Sequence, residues 1–253
     1  MIHLRSVEPL REAWTDEYPF SVPTIASLEP RRIEHEVLFL VGENASGKST
    51  LLEAIALAAD RLAIGADDTG RDETLAAVRP LARALRLAWH RRHGRGFFLR
   101  AEDFFNFSRR IRKLRRELLE EAKTVADPRE ILAERRELLD RYGGDLDDLS
   151  HGESFLRLLM SRVVPGGLYL LDEPEAALSP RGQLAFLAFL LEAVAEKSQF
   201  IVATHSPIVL SCPGAAIWSF EDGAIRDRSY DELDHVRFYR EYLAQPGRFL
   251  RHL

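Results

Sequence analysis

The stretch Gly42-Glu43-Asn44-Ala45-Ser46-Gly47-Lys48-Ser49-Thr50 contains the spacing G-x-x-x-x-G-K-[S/T] in full. Glycines let backbone N–H groups curl around an anion, a lysine adds a fixed cation, and a hydroxyl follows that can ligate a divalent ion. That set suits a polyphosphate, with Lys48 bridging β- and γ-phosphates and Ser49 on Mg²⁺. Further on, Leu168-Tyr-Leu-Leu-Asp172-Glu173 ends an apolar run on two carboxylates. Asp172 is suited to hold Mg²⁺, directly or through water, and Glu173 to polarise an attacking water as general base. His205 follows Phe200-Ile-Val-Ala-Thr204 and precedes Ser206-Pro207, where it can contact a terminal phosphate and sense its loss. Each group alone has a structural reading: a glycine-rich turn, an acidic turn before Pro174, a core histidine. Their common order along the chain favours the chemical one.

This chemistry needs a strand before the glycine-rich loop and a helix after it. Glu36 to Val41 is an apolar run typical of a strand buried on both faces, and Leu51, Leu52, Ile55, Ala58, Ala59 and Leu62 recur at helical spacing. Gly96 to Arg100, Leu168 to Leu171 and Phe200 to Thr204 are further buried-strand candidates. Helical patterns are expected at 72–89, 108–123, 128–142, 153–163, 181–196 and 231–243. Strands alternating with helices predict an α/β fold with a mainly parallel sheet that brings these groups to the strands' C-terminal ends. Short alternating stretches in the first 36 residues, and Ala216 to Phe220 with Ala224 to Arg226 around an Asp222-Gly223 turn, predict antiparallel edge strands.

The 253 residues fit one domain, with a small helical subdomain inserted at about 104–164 around the Asp127-Pro128 break. Hydrophobic residues at 46% and charged residues at 30% exclude disordered and fibrous classes. The lone Cys212 permits no internal disulfide and no cysteine zinc cluster, which fits a cytoplasmic protein. Met1 to Trp14 has no apolar run typical of a signal peptide. Ala185 to Ala195 is too short to span a bilayer, so no transmembrane segment is expected and this window predicts a buried helix. The net charge of −5 hides a segment, 79–116, with 13 Arg and Lys against two acids. That segment, with Trp89, Phe97, Phe98, Phe104, Phe105 and Phe107 nearby, is a candidate nucleic-acid surface or a solvated face answering the acidic remainder.

Two more motifs complete an order. Leu149-Ser150-His151-Gly152-Glu153 holds a Ser-x-x-Glu capping box at a helix start, and Ala177-Leu178-Ser179-Pro180 follows the paired carboxylates. Phosphate loop, signature-like 149–153, Asp172-Glu173, the D-loop-like 177–180 and the switch-like His205 together resemble the ABC-type P-loop ATPases. More narrowly, the chain resembles the stand-alone bacterial predicted ATPases labelled AAA family although their motifs are ABC-like. The resemblance runs from about Pro19 to Leu253 and implies ATP and Mg²⁺ as ligands, ATP hydrolysis, and an ATP-sandwiched homodimer acting on a macromolecule. In that arrangement Ser150 and Gly152 of one copy contact the γ-phosphate held by Lys48 of the other. His151 and Glu153 depart from the usual Ser-Gly-Gly-Gln signature, and Glu102 stands roughly where a Q-loop glutamine is expected. The resemblance also implies an aromatic ring on the adenine, for which Tyr18 and Phe20 are candidates. Alternative roles are the ATPase subunit of a membrane transporter, a nucleic-acid-associated clamp, and a non-catalytic ATP switch; an intact Glu173 and His205 speak against the last.

Overall fold

The computed structural model describes residues 1–61, 73–92, 94–125, 127–141 and 151–251. The strands are β1 (Leu4–Pro9), β2 (Arg31–Arg32), β3 (Val37–Gly42), β4 (Leu85–Trp89), β5 (Gly96–Arg100), β6 (Leu168–Asp172), β7 (Gln199–Ala203), β8 (Ala216–Glu221) and β9 (Ala224–Asp227). The α-helices are α1 (Pro23–Ala26), α2 (Lys48–Ala58), α3 (Arg79–Arg83), α4 (Ala101–Thr124), α5 (Arg129–Arg141), α6 (His151–Arg162), α7 (Pro180–Ala195), α8 (Pro207–Leu210), α9 (Asp234–Ala244) and α10 (Pro246–Leu250).

A six-stranded sheet runs β5-β6-β7-β3-β8-β9, parallel except for β9, which closes the edge as the antiparallel arm of a hairpin with β8. The central strands are buried on both faces, as their unbroken apolar runs predict. Along β3, Phe39 and Val41 pack with Phe155, Phe186 and Leu190 of α6 and α7, while Leu38 and Leu40 pack with Leu51 and Ile55 of α2. Fully burying one such side chain contributes about 1.5–3 kcal/mol, so this alternation fixes the height at which β3 delivers the loop that follows it.

A separate antiparallel sheet, β2-β1-β4, covers the other side of α2. It replaces the helix expected at 72–89: a 3₁₀ turn at Glu73–Val78 and the short α3 lead into β4, which pairs with β1. The physical reason lies in Leu85-Arg86-Leu87-Ala88-Trp89, whose larger apolar residues alternate with period two. With a sheet on each side, α2 buries Leu51, Leu52, Ala54, Ile55 and Ala56, more than half of its circumference rather than a narrow stripe. The expected position Leu62 lies outside the described residues. Gln199 joins the two sheets: its Oε1 accepts from the N–H groups of His3 and Leu4, each at 2.8 Å, and its Nε2 donates to the Leu4 carbonyl.

The antiparallel pair α4 and α5 forms the expected helical hairpin, and α6 returns the chain to the sheet. Helix α7 covers the buried helix expected of 185–195 but is buried on one side only. It buries Phe186, Leu190 and Ala193 along one stripe and leaves Leu184 and Leu191 exposed, because only one of its faces meets the sheet. Within the basic segment, Phe97 and Phe98 are core residues, and Arg100 is half-buried in an ion pair with Glu53 at 2.9 Å. The side chains of Phe104, Phe105 and Phe107 lie outside the described residues. No helix among the described residues is long and apolar enough to cross a membrane.

Candidate functional site

Strand order places β6, β7 and β3 side by side, so the residues leaving their C-terminal ends meet in one place. From β3 the chain enters the loop Glu43 to Gly47 and then α2, whose first residue is Lys48. Gly47 caps that helix at φ +100°, in the left-handed region, and a Cβ there would sit 2.6 Å from Thr24 Oγ1. The Thr24 hydroxyl in turn donates to the Ser46 carbonyl, so α1 braces the loop from outside. Lys48 is buried, and its Nζ donates to the carbonyls of Gly42 and Glu43 at 2.8 Å each. Burial pulls its pKa down, while Glu173, Asp172 and Glu175 hold it up. The loop thus curls over its own cation, with the N-terminal N–H groups of α2 beside it.

Asp172 closes β6 and accepts a hydrogen bond from Ser49 Oγ at 3.2 Å. It is only 8% exposed, and burial raises its pKa to about 6, against the pull of Ser49, Arg100 and Lys48. A buried carboxylate beside a hydroxyl is a hard-oxygen pair whose charge a divalent cation would compensate, so the residues present fit Mg²⁺.

Glu173 follows with φ 49° and ψ 48°, a left-handed conformation unfavourable for a residue with a Cβ. Its N–H donates to the Ala203 carbonyl at 2.9 Å, pinning the end of β6 to β7 and setting the carboxylate opposite the next chain exit. There, His205 Nε2 stands 3.7 Å from Glu173 Oε1, close enough for electrostatics and too far for a hydrogen bond. Burial and Lys48 lower the His205 pKa and outweigh Glu173, so the imidazole is neutral at pH 7.

The site also contains residues that motif spacing passed over. Glu175 sits in the turn after Glu173, largely buried, and its Oε1 accepts the backbone N–H of His205 at 2.6 Å. Ser206 caps α8 and donates from its hydroxyl to Gln183 Oε1, fixing the chain just beyond His205. Of the two aromatic candidates, Phe20 is buried against Trp14, their rings 5.3 Å apart, and belongs to the core. Tyr18 is exposed, with its hydroxyl 3.3 Å from Thr50 Oγ1 at the start of α2, and is the ring free to meet a base.

Ser150 lies outside the described residues, as does the capping box it would form, and so do the side chains of His151 and Glu102. Gly152 is in the first turn of α6, where a Cβ would come 2.9 Å from the Ala177 carbonyl. The absence of a side chain lets α6 pack against the turn that follows the paired carboxylates.

A family model described as "AAA domain, putative AbiEii toxin, Type IV TA system" matches residues 37–81 and 145–211, which include the phosphate loop, Asp172, Glu173 and His205. No curated protein sequence matches the chain. Among solved structures, the ADP conformation of MJ1267, an ATP-binding cassette of an ABC transporter, aligns with a TM-score of 0.51 and 16% identity, covering 95% of this chain and 99% of that one. The cbiO1 protein of Clostridium perfringens, part of the ABC transporter complex cbiONQ, aligns with a TM-score of 0.51 and 18% identity over the full length of both chains. At such identity the likeness is one of fold. The two matched stretches carry the phosphate loop, the paired carboxylates and His205, and the shared fold is that of the ABC-type P-loop ATPase domains.

Proposed function

We propose that the protein binds ATP with Mg²⁺, hydrolyses it to ADP and phosphate, and couples that cycle to the closing and opening of a homodimer acting on a macromolecular partner. The observation that carries this reading is the convergence of Lys48, the Ser49–Asp172 pair, Glu173 and His205 at the ends of three adjacent strands. The loop Gly42 to Gly47 and the start of α2 bind the phosphates through backbone N–H groups. Lys48 exchanges the carbonyls of Gly42 and Glu43 for phosphate oxygens. Ser49 and Asp172 hold Mg²⁺, which when bound neutralises charge on the β- and γ-phosphates. Glu173 orients the attacking water and takes its proton. His205 donates to the γ-phosphate and registers its departure. Tyr18 stacks on the adenine.

In the dimer, Ser150 and Gly152 of one copy contact the γ-phosphate bound by Lys48 of the other. Glu173→Gln tests the arrangement, since it keeps shape and hydrogen bonding but removes the base. With ATP and Mg²⁺ this variant binds nucleotide and runs as a dimer by light scattering, and with ADP as a monomer. A variant that binds no ATP, or whose mass ignores the nucleotide, contradicts the reading. The wild-type protein separates the roles open to it: a transporter subunit co-purifies with a hydrophobic partner, and a nucleic-acid clamp shows salt-sensitive stimulation of its ATP turnover by duplex DNA.

A further inference from the structure

Beside the phosphate loop lies a cavity of about 540 Å³, bounded by Gly42 to Ser46, the β8–β9 turn and the first residues of α9. Three of the side chains lining it carry a buried polar atom with no hydrogen-bond partner: Ser46 Oγ, His205 Nε2 and His235 Nε2. Buried polar atoms are normally satisfied, so three on one cavity mark a place for a polar occupant. Ser46 and His205 already belong to the nucleotide site, whereas His235 lies in no motif of the sequence.

His235 is held firmly. It is in the first turn of α9, between Leu233 and Val236, both buried in the core, and the Tyr230 hydroxyl just upstream donates to the Pro207 carbonyl at 2.9 Å. Burial, and then His205, push its pKa down against the pull of Asp234, so it presents a neutral imidazole with one N–H to donate. Four carboxylates also line the cavity. Glu221 is engaged by Arg228 and Arg226, Asp222 by Arg226, and Asp234 by Arg237, while Glu43 is exposed to solvent. The buried polar groups left without a partner are the two histidines and the serine, and His205 among them stands 3.7 Å from Glu173.

We infer that His235 is a second histidine of the nucleotide site, donating from α9 to the terminal phosphate of bound ATP alongside His205. This rests on the ATP reading above. ADP lacks the group it would touch, so the contact exists only in the triphosphate state, and α9 becomes an element whose position depends on which nucleotide is bound.

Calorimetric titration of the full chain with Mg²⁺ and either ADP or the non-hydrolysable imido analogue of ATP tests it. Wild type that binds neither nucleotide overturns the underlying reading. If wild type binds both, His235→Ala keeps its ADP affinity and loses about tenfold for the ATP analogue, the size of one hydrogen bond to a charged group. His235→Gln, which keeps a donor, recovers most of that loss. Equal weakening toward both nucleotides in both variants assigns His235 to packing and overturns the inference, as does unchanged affinity for both.

Discussion

The carboxylate of Glu175 accepts the backbone N–H of His205 at 2.6 Å, joining the turn after β6 to the turn after β7 across 30 residues of chain. Its second oxygen, Oε2, is buried without a partner, and burial raises its pKa. Two residues from the proposed base, Glu175 therefore acts through His205 as a positioning residue. Removing it leaves a buried N–H unpaired, a cost of about 1–3 kcal/mol. Glu175→Ala is expected to lower kcat about tenfold with KM little changed, and Glu175→Gln, which still offers a carbonyl oxygen, to restore most of it. An alanine variant with wild-type kcat removes the tether from the account.

Gly47→Ala combines two penalties. The new Cβ is forced to φ +100°, which costs about 1–3 kcal/mol, and lies 2.6 Å from Thr24 Oγ1. The loop and α1 cannot both stay in place. Nucleotide affinity should fall at least tenfold, roughly the lower end of that penalty, read by titration with ADP. Binding at wild-type strength would show that the loop does not need this conformation.

The parts of the site that were legible in the sequence are those built from local chain. The loop from Gly42 to Thr50 sits between β3 and α2, and β5 spans Gly96–Arg100, because a run of large apolar residues bounded by glycine leaves the backbone few choices. Residues 85–89 were harder: helical spacing upstream carried the pattern forward, and only pairing with β1 makes the alternation of Leu85, Leu87 and Trp89 decisive. Glu175 and Thr24 escaped because their partners are distant in sequence, and His235 because it lies in no motif. Nothing near Glu175 announces a bond to His205.

Asp172 and Ser49, 3.2 Å apart, are expected to set the requirement for Mg²⁺. In Asp172→Asn the amide is a poor ligand for a hard cation, so the Mg²⁺ concentration for half-maximal turnover should rise at least about tenfold. Titrating Mg²⁺ at saturating ATP reads this directly. An unchanged midpoint would move the cation elsewhere.

Cys212 is buried in the core around α8, and burial lifts its thiol pKa from 9.0 to about 11. The native state holds that proton more tightly than the unfolded chain. The associated stability is therefore complete below pH 9 and lost as pH rises toward 11. At pH 8 the thiolate fraction is on the order of 0.1%, so alkylation by a maleimide should be slow in the native protein and fast in denaturant. Rapid native labelling would contradict the burial of this residue.

Phosphate release from ATP and Mg²⁺ by wild type, Lys48→Ala and Glu173→Gln tests the central claim most directly. Wild type should turn over, Lys48→Ala should neither bind nor hydrolyse, and Glu173→Gln should bind ATP while hydrolysing it at least about a hundredfold more slowly, the low end for loss of a general base. Equal turnover in wild type and Glu173→Gln, or release that survives Lys48→Ala, would contradict the assignment of this site to ATP hydrolysis.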